Sequence, residues 1–527
     1  MPGLNSHDTI FNVMWTQRRK LVVLMIFHML WGIVLWFSIS KYGLGISTDS
    51  VHMLFGGLNL AEGRGLYSFD GSFVLLWPPL YSMLLALAHW VLRSDPFVSA
   101  NILQALAFIG TSFCLSILFL RIFPENFYLA LAANILSDIG VVVLTTFEGV
   151  GSDYIHFFLV IASILLTGFY IETKSAGILP AMFVAGMLAM LQRYIGLAAI
   201  ATSIAAIFFF DRRSVYQRLS RSAMMALSIL PAGLWLFATS KLIQQRAPIS
   251  FSDNFQWFSM SVLQWFFPVD LKQPHLWLYI SLLWVSVGAM IFLVFHLSRQ
   301  YNNFSPYTIP VLVYGLLYVL ALFGSASIAY FNKLSGRFLL PFYIPFITLL
   351  VLTLDVLMHF VHLHSPQKLR RIIAIGFVGM LIVIGIGLLR ITIPVALQSH
   401  ADGNNDFNGR AWHENSVMNY WLAHEPQGNY LLFSNYPDGV AFYTWHSAYN
   451  SPARYSGPYG KQEFPVTSYS SELFSSGLAV YLIWIEPNIY SYYYKAQDLS
   501  PIAQVKSLFV NQDGGIYLLT PRTQGSP

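Results

Sequence analysis

Residues 18–40 read RRKLVVLMIFHMLWGIVLWFSIS. Three cations stand directly before twenty residues that carry no formal charge. Twenty helical residues rise about 30 Å, the thickness of a bilayer's hydrocarbon core. The run is too long for a secretory h-region and has no small-residue cleavage site, so it reads as an uncleaved signal anchor. The flanking Arg18, Arg19 and Lys20 place the N-terminus in the cytoplasm, because cations are retained on that side.

The same reading repeats along the chain. Eleven segments are apolar enough to be spanning helices: 21–40, 74–92, 97–120, 127–146, 154–172, 177–210, 223–242, 275–297, 307–329, 338–363 and 372–396. Composition agrees. Of 527 residues, 56% are hydrophobic and only 10% are charged, against roughly 25% in an ordinary soluble domain. This excludes a soluble enzyme, a disordered chain and a nucleic-acid-binding protein of the usual kind. The net charge of +5 follows membrane topology, since the cations gather beside apolar runs. Cys114, the one cysteine, excludes an intramolecular disulfide and reads as a small buried hydrophobe.

Eleven crossings carry the C-terminus outside. Arg212, Arg213, Arg218 and Arg221 follow the sixth segment, and Lys368, Arg370 and Arg371 follow the tenth. Both ends are even-numbered and therefore cytoplasmic, as their charge requires. The segment 177–210 is long and holds Gln192 and Arg193 near its middle. It is either one tilted helix or two short ones, and the side on which Glu148 and Asp153 lie depends on which. No internal repeat is visible. Three polar stretches, 41–73, 243–274 and the tail after 397, fall on the outer face. The expected layout is a cytoplasmic N-terminus at 1–20, a transmembrane domain at 21–397 and an extracytoplasmic domain at 398–527. In the tail, 411–424 reads as a helix, and apolar runs follow at 430–434, 440–445, 478–485 and 515–519 between turn signals. That pattern predicts a small α/β or α+β domain.

The first outer loop carries the most chemistry. Residues 47–81 read STDSVHMLFGGLNLAEGRGLYSFDGSFVLLWPPLY. Asp49 stands just after the first span, with His52 at helical spacing, then Glu62, Arg64 and Asp70. Pro78 and Pro79 suit the start of the next helix. A carboxylate at the membrane surface can take a proton from an acceptor hydroxyl. Asp49 can equally cap a helix beginning near Ser50. Glu62 and Asp70 read as solvated loop charges.

Here the sequence resembles a family. Asp49-Ser50, Leu58-Asn59-Leu60, Gly63, Gly65-Leu66-Tyr67 and Trp77-Pro78-Pro79-Leu80-Tyr81 are similar to the first outer loop of the GT-C glycosyltransferases, in the branch of protein mannosyltransferases and aminoarabinose transferases. Gly186 to Gly196, with Gln192-Arg193-Tyr194 inside it, is similar to that family's glycine-rich segment with a central arginine. Gly336-Arg337-Phe338-Leu339-Leu340-Pro341-Phe342-Tyr343 is similar to its late Gly-Arg-aromatic-Leu-Leu-Pro element, and Ser434-Asn435-Tyr436-Pro437-Asp438 matches more weakly. The resemblance covers roughly residues 15–400. It implies a transferase that uses a polyprenyl-phosphate sugar, with Asp49 as catalytic base. The sequence departs from the family at His52, where relatives often carry an aromatic, and in having no second aspartate beside Asp49.

The leaving group would be a lipid phosphate, which arginine binds through two parallel N–H bonds. Arg337, at the start of the tenth segment, is one such cation, with Lys333 four residues before it; the alternative for Arg337 is snorkelling at the interface. Arg193 lies within an apolar stretch, where charges are costly and usually functional. Arg64 shares the loop of Asp49. The resemblance also puts an acidic residue facing the site near Glu148 and Asp153, which flank a Gly-Val-Gly-Ser turn. His52 either tunes the site or packs. Loop 251–274 carries Trp257, Trp265, Phe266, Phe267 and His275, an interfacial belt by default and a donor-site lid by resemblance.

No HExxH, P-loop or GxSxG pattern is present. Neither a metal nor another cofactor is expected. The sequence therefore predicts a polytopic α-helical plasma-membrane protein of GT-C type. It would move a sugar from a polyprenyl-phosphate carrier to a hydroxyl or amine of a glycan, lipid or protein, with inversion, on the extracytoplasmic face. The rival is a lipid or sugar transporter or flippase, and a weaker third reading is a membrane scaffold. Against a transporter stand the missing repeat and polar groups gathered at the outer face rather than the midplane.

Overall fold

The computed structural model describes residues 6–522 apart from 75–76, 212, 241–249, 268–274, 302–304, 329–332, 335, 405–406, 456–461, 489 and 491. Arg212 and the parts 243–249 and 268–274 of the expected outer loop lie outside the described residues.

Helix occupies each of the eleven apolar segments. In hydrocarbon every backbone N–H and C=O needs a partner within the protein, and a helix supplies one internally. Among the described residues, seven helices are long and apolar enough to cross a membrane: Gln17–Ile39, Pro96–Ile122, Asp153–Thr173, Leu276–Arg299, Thr308–Ser327, Gly336–His364 and Gln367–Asp402. Two bent pairs raise the number to nine: Phe127–Asp138 with Val141–Phe147, bent by 53°, and Val215–Leu227 with Leu230–Thr239, bent by 41°. The two remaining segments hold shorter helices, Leu80–Leu92 in one and Ala176–Gln192 with Tyr194–Phe210 in the other. The chain is a polytopic α-helical membrane protein.

The breaks are built, not frayed. At the 53° bend, the freed carbonyl of Leu136 accepts from Tyr343 Oη at 2.6 Å, and that of Ile139 accepts from Thr392 Oγ1 at 2.8 Å. Side-chain hydroxyls thus replace the interrupted backbone bonds. Gly140 makes the approach possible, because a Cβ there would lie 2.5 Å from Tyr343 Oη. Buried His28 Nδ1 and Asp138 Oδ1, 2.8 Å apart, tie the first helix to the same bend. In segment 177–210, Arg193 adopts extended backbone (φ −152°, ψ 136°) between Leu179–Gln192 and Leu197–Phe210. Of the two alternatives the sequence left open, the structure takes the pair of short helices. Gln192 Nε2 donates to the Ser152 carbonyl at 3.3 Å, and His156 Nδ1 donates to the Ala189 carbonyl at 3.1 Å.

The chain divides into two compact units. One holds Met1–Ser40, Leu75–Tyr81 and Asn101–His400; the other holds Lys41–Val74, Ser82–Ala100 and Ala401–Pro527. Within the second unit, the first loop and the tail pack on each other. Phe407 N–H donates to the Ile46 carbonyl at 2.9 Å and Asn408 Nδ2 to that of Leu44 at 3.0 Å. The Phe55 and Trp445 rings lie 5.4 Å apart and those of Phe97 and Phe442 5.7 Å apart.

The tail is a small α/β domain around a five-stranded sheet. Its strands are β1 (Tyr430–Ser434), β2 (Tyr449–Asn450), β3 (Ala479–Ile485), β4 (Ala503–Asn511) and β5 (Gly514–Pro521), in the order β2-β1-β3-β5-β4. β1 is parallel to β2 and β3, while β5 runs antiparallel to β3 and β4. Val480, Leu482 and Trp484 alternate along β3 into one apolar core with Phe433, Leu499 and Leu519.

Several expectations are corrected here. The helix expected over 411–424 is two, Arg410–His413 and Ser416–Ala423, because the Asn415 side chain accepts from Met418 N–H at 3.0 Å and starts a new helix. Residues 440–444 of the run 440–445 belong to the helix Pro437–Thr444, with proline in its first turn, and Trp445 caps its end. The edge strand β4 had no expectation at all. Trp265 is no interfacial anchor: it is buried, with ring centroids 4.9 Å from Tyr343 and 5.7 Å from Phe346.

Candidate active site

The first unit gathers cations around one carboxylate. Asp153 opens the helix Asp153–Thr173. Its Oδ1 pairs with Nη1 of Arg193, and its Oδ2 lies 3.8 Å from Nη1 of Arg337. Arg193 reaches it because the helix break puts that residue in extended backbone. Arg337 reaches it from a single tight turn, Gly336–Leu339, just before the helix Leu340–His364. The Phe338 ring lies 5.4 Å from the Arg193 guanidinium and 5.7 Å from that of Arg337. An aromatic face at that distance attracts both cations. Phe338 is fixed in turn, since its carbonyl accepts from Tyr318 Oη at 2.6 Å.

Other side chains of this unit extend the polar region. Tyr154, next to Asp153, has its hydroxyl 2.6 Å from that of Tyr81. Glu148 is fully buried, and its Oε2 accepts from Ser399 Oγ at 3.0 Å. Lys333 Nζ sits 4.0 Å from the Trp257 ring centroid, on the helix Phe251–Gln264. Among the described residues no three His, Cys, Asp or Glu side chains are grouped to hold a metal ion.

The second unit gathers carboxylates around one imidazole. The helix Thr48–Ala61 is capped by Ser47, whose Oγ accepts from Ser50 N–H at 3.4 Å, while Ser50 Oγ accepts from Ser47 N–H at 3.1 Å. Of the two roles the sequence left open for Asp49, the cap is filled by Ser47. Asp49 stands inside the first turn, partly buried. His52, three residues on, shares its face of the helix. His52 Nδ1 is 2.6 Å from Ser68 Oγ, and Nε2 is 3.5 Å from Oδ1 of Asp438, in the first turn of Pro437–Thr444. Burial raises the Asp438 pKa above the ordinary carboxylate value; His52 opposes that rise, and Asp70 and Asp49 add to it. Asp70 accepts from the N–H and Oγ of Ser72 and closes its turn. Arg64 forms an exposed ion pair with Glu62.

No protein-family model and none of the curated proteins matches the sequence. Solved structures do. ArnT from Cupriavidus metallidurans in the apo state superposes with a TM-score of 0.58 at 13% identity, over 94% of this chain and 97% of that one. ArnT bound to undecaprenyl phosphate gives 0.59 at 12% identity with the same coverage. The chain has the GT-C fold. The archaeal oligosaccharyltransferase AglB from Archaeoglobus fulgidus, in complex with an inhibitory peptide and a dolichol-phosphate, also superposes. Its TM-score is 0.51 at 13% identity, over 90% of this chain and 70% of that one. The fold expected from the loop motifs is the fold present.

On this GT-C fold the residues singled out in the sequence fall into two groups. Arg193, Arg337 and Asp153 meet directly in the first unit, which also holds Glu148 and Lys333. Asp49, His52 and Arg64 belong to the second. Sequence reasoning passed over Asp438 as a partner of His52. The Asn-Tyr-Pro-Asp run marks a helix start, since a proline followed by an acid does so, but it does not point to His52.

Proposed function

We propose that this protein is an integral membrane glycosyltransferase that takes a sugar from a polyprenyl-phosphate carrier. The observation that carries the reading is the meeting of Arg193 and Arg337 on Asp153. Two guanidiniums converge on one carboxylate, and their planar forks match phosphate oxygens. The GT-C fold supports it, because ArnT with this fold has been captured with undecaprenyl phosphate and AglB with a dolichol-phosphate.

In this reading Arg337 and Arg193 hold the phosphate, with Lys333 and Arg64 as further cations. Glu148, Asp153 and His52 shape the substrate surroundings. Asp49 removes a proton from the acceptor hydroxyl or amine. As the acceptor atom bonds to the anomeric carbon, the carbon–oxygen bond to phosphate breaks, and its electron pair leaves with the phosphate. One direct displacement inverts the anomeric centre. The chemistry runs on the extracytoplasmic face, where the loop 41–73 and the domain 398–527 lie in this topology.

A second reading, a lipid or sugar flippase, draws on one observation: helices broken at Gly140 and Arg193 resemble the discontinuous helices of transporters. One assay separates them. Purified protein in proteoliposomes is given a polyprenyl-phosphate [14C]sugar and envelope fragments as acceptor pool. Label leaving the lipid for the acceptor fraction, lost in Asp49→Asn, is the expected result. Label that changes leaflet but stays on the lipid supports the flippase instead.

A further inference from the structure

The helix Thr48–Ala61 belongs to the first loop and the helix Pro437–Thr444 to the tail, yet the two pack together within the second unit. Gly439 lets the second helix close on Trp412 of the tail, since a Cβ there would overlap that ring. Phe55 against Trp445 and Phe55 against Phe69, at 5.4 and 5.6 Å, fill the space beside the contact. Asp438 arrives at His52 on this packing. Its Oδ1 is buried and, at 3.5 Å, faces Nε2 of the ring, while Ser68 Oγ lies 2.6 Å from Nδ1.

The ring therefore has a hydroxyl on one nitrogen and a carboxylate on the other. At 3.5 Å the contact is longer than a hydrogen bond, and Asp438 Oδ1 makes none among the described residues. The carboxylate acts on the ring by charge, which favours hydrogen on Nε2, since a carboxylate only accepts. In the neutral ring Nδ1 then accepts from the Ser68 hydroxyl. Asp49 is on the same helical face as His52, one turn before it.

We infer that Asp438 is a positioning residue: through His52, and with Ser68 on the far nitrogen, a carboxylate of the C-terminal domain fixes an imidazole beside the proposed base Asp49. This rests on the reading of Asp49 given above. The groups that face Asp438 are His52 and Asp49 on the first-loop helix, Asp70 in the following turn, and Tyr490 and Tyr493 in the tail. Asp438 attracts the Nε2–H by charge only as a carboxylate. Its proton affinity is raised by burial, so that form is lost, as pH falls, above the pH at which an ordinary carboxylate is lost.

The test combines transfer kinetics with the ring's own spectrum. The kinetic arm uses polyprenyl-phosphate [14C]sugar and envelope fragments across pH. Asp438→Asn should lower turnover about tenfold with the apparent affinity for the donor unchanged. It should also remove a step from the acid limb of the pH profile. Asp438→Glu should restore part of the rate. The double variant of Asp438→Asn with His52→Gln should be no slower than the slower single one, because both break one chain. The spectral arm is independent of turnover. In 15N-histidine-labelled protein in detergent, neutral His52 should show hydrogen on Nε2, and Asp438→Ala should give a mixture of tautomers. Multiplying single effects, an unchanged pH profile or an unchanged tautomer would overturn the inference. Asp49→Asn with full transfer would overturn the base assignment instead, so the two failures are distinguishable.

Discussion

Asp153 and Asp438 both stand in the first turn of a helix, and they keep opposite company. Asp153 meets Arg193 and Arg337. Asp438 meets His52, with Asp49 and Asp70 adding negative charge. A helix N-terminus favours a carboxylate in either case. What differs is the company: two guanidiniums around the carboxylate in the first unit, an imidazole and two further carboxylates in the second. In the function proposed above, the first group would hold a phosphate and the second would take a proton. The first is also built from a helix break and a tight turn, the second from two intact helix starts.

The comparison breaks most sharply at Asp49. Asp49→Asn keeps the shape, and Ser47 still caps the helix, so the fold should stand while transfer falls about 10²–10⁴-fold. Equal loss of thermal midpoint and activity would make Asp49 a structural residue. Next comes Arg193. Arg193→Ala leaves the mostly buried Asp153 with less compensation, so a loss of stability of up to about 3 kcal/mol is expected, read as a lowered thermal midpoint in detergent. A midpoint like that of the parent protein would mean the pair is not what holds the break.

Two smaller changes sharpen the contrast between built and solvated features. Gly140→Ala pushes a methyl to 2.5 Å from Tyr343 Oη, and overpacking of that kind costs about 1–3 kcal/mol. Urea or thermal unfolding of the purified variant measures it. Arg64→Ala removes an exposed pair with Glu62, and should change stability by less than about 0.5 kcal/mol. If Arg64→Ala proves as damaging as Gly140→Ala, the loop pair is doing more than its exposure suggests.

The membrane helices were legible because hydrocarbon imposes a single rule, apolar length, that hydropathy reads directly. The break at Arg193 was half legible. Gln192-Arg193 in an apolar run signalled trouble, but only the bonds from Gln192 to Ser152 and from His156 to Ala189 decide for two helices. The strand β4 escaped because it is an edge strand, exposed along most of its length, so no period-two pattern marks it. Asp49 looked like a cap because aspartate caps well; Ser47, two residues earlier, caps as well and has Ser50 to complete the box. The partnership of His52 with Asp438 depends on residues far apart in the chain, and no local pattern encodes it.

The central claim is that phosphate holding and proton removal belong to different residues of the two units. Equilibrium binding of undecaprenyl phosphate to the purified protein, to Arg337→Ala and to Asp49→Asn tests it most directly. Arg337→Ala should bind about tenfold or more weakly, since hydrogen bonds to a charged group are lost, and Arg337→Lys should fall between, keeping charge but not the planar fork. Asp49→Asn should bind as the parent does. Unchanged binding in Arg337→Ala, or weakened binding in Asp49→Asn at an unchanged thermal midpoint, would contradict the account.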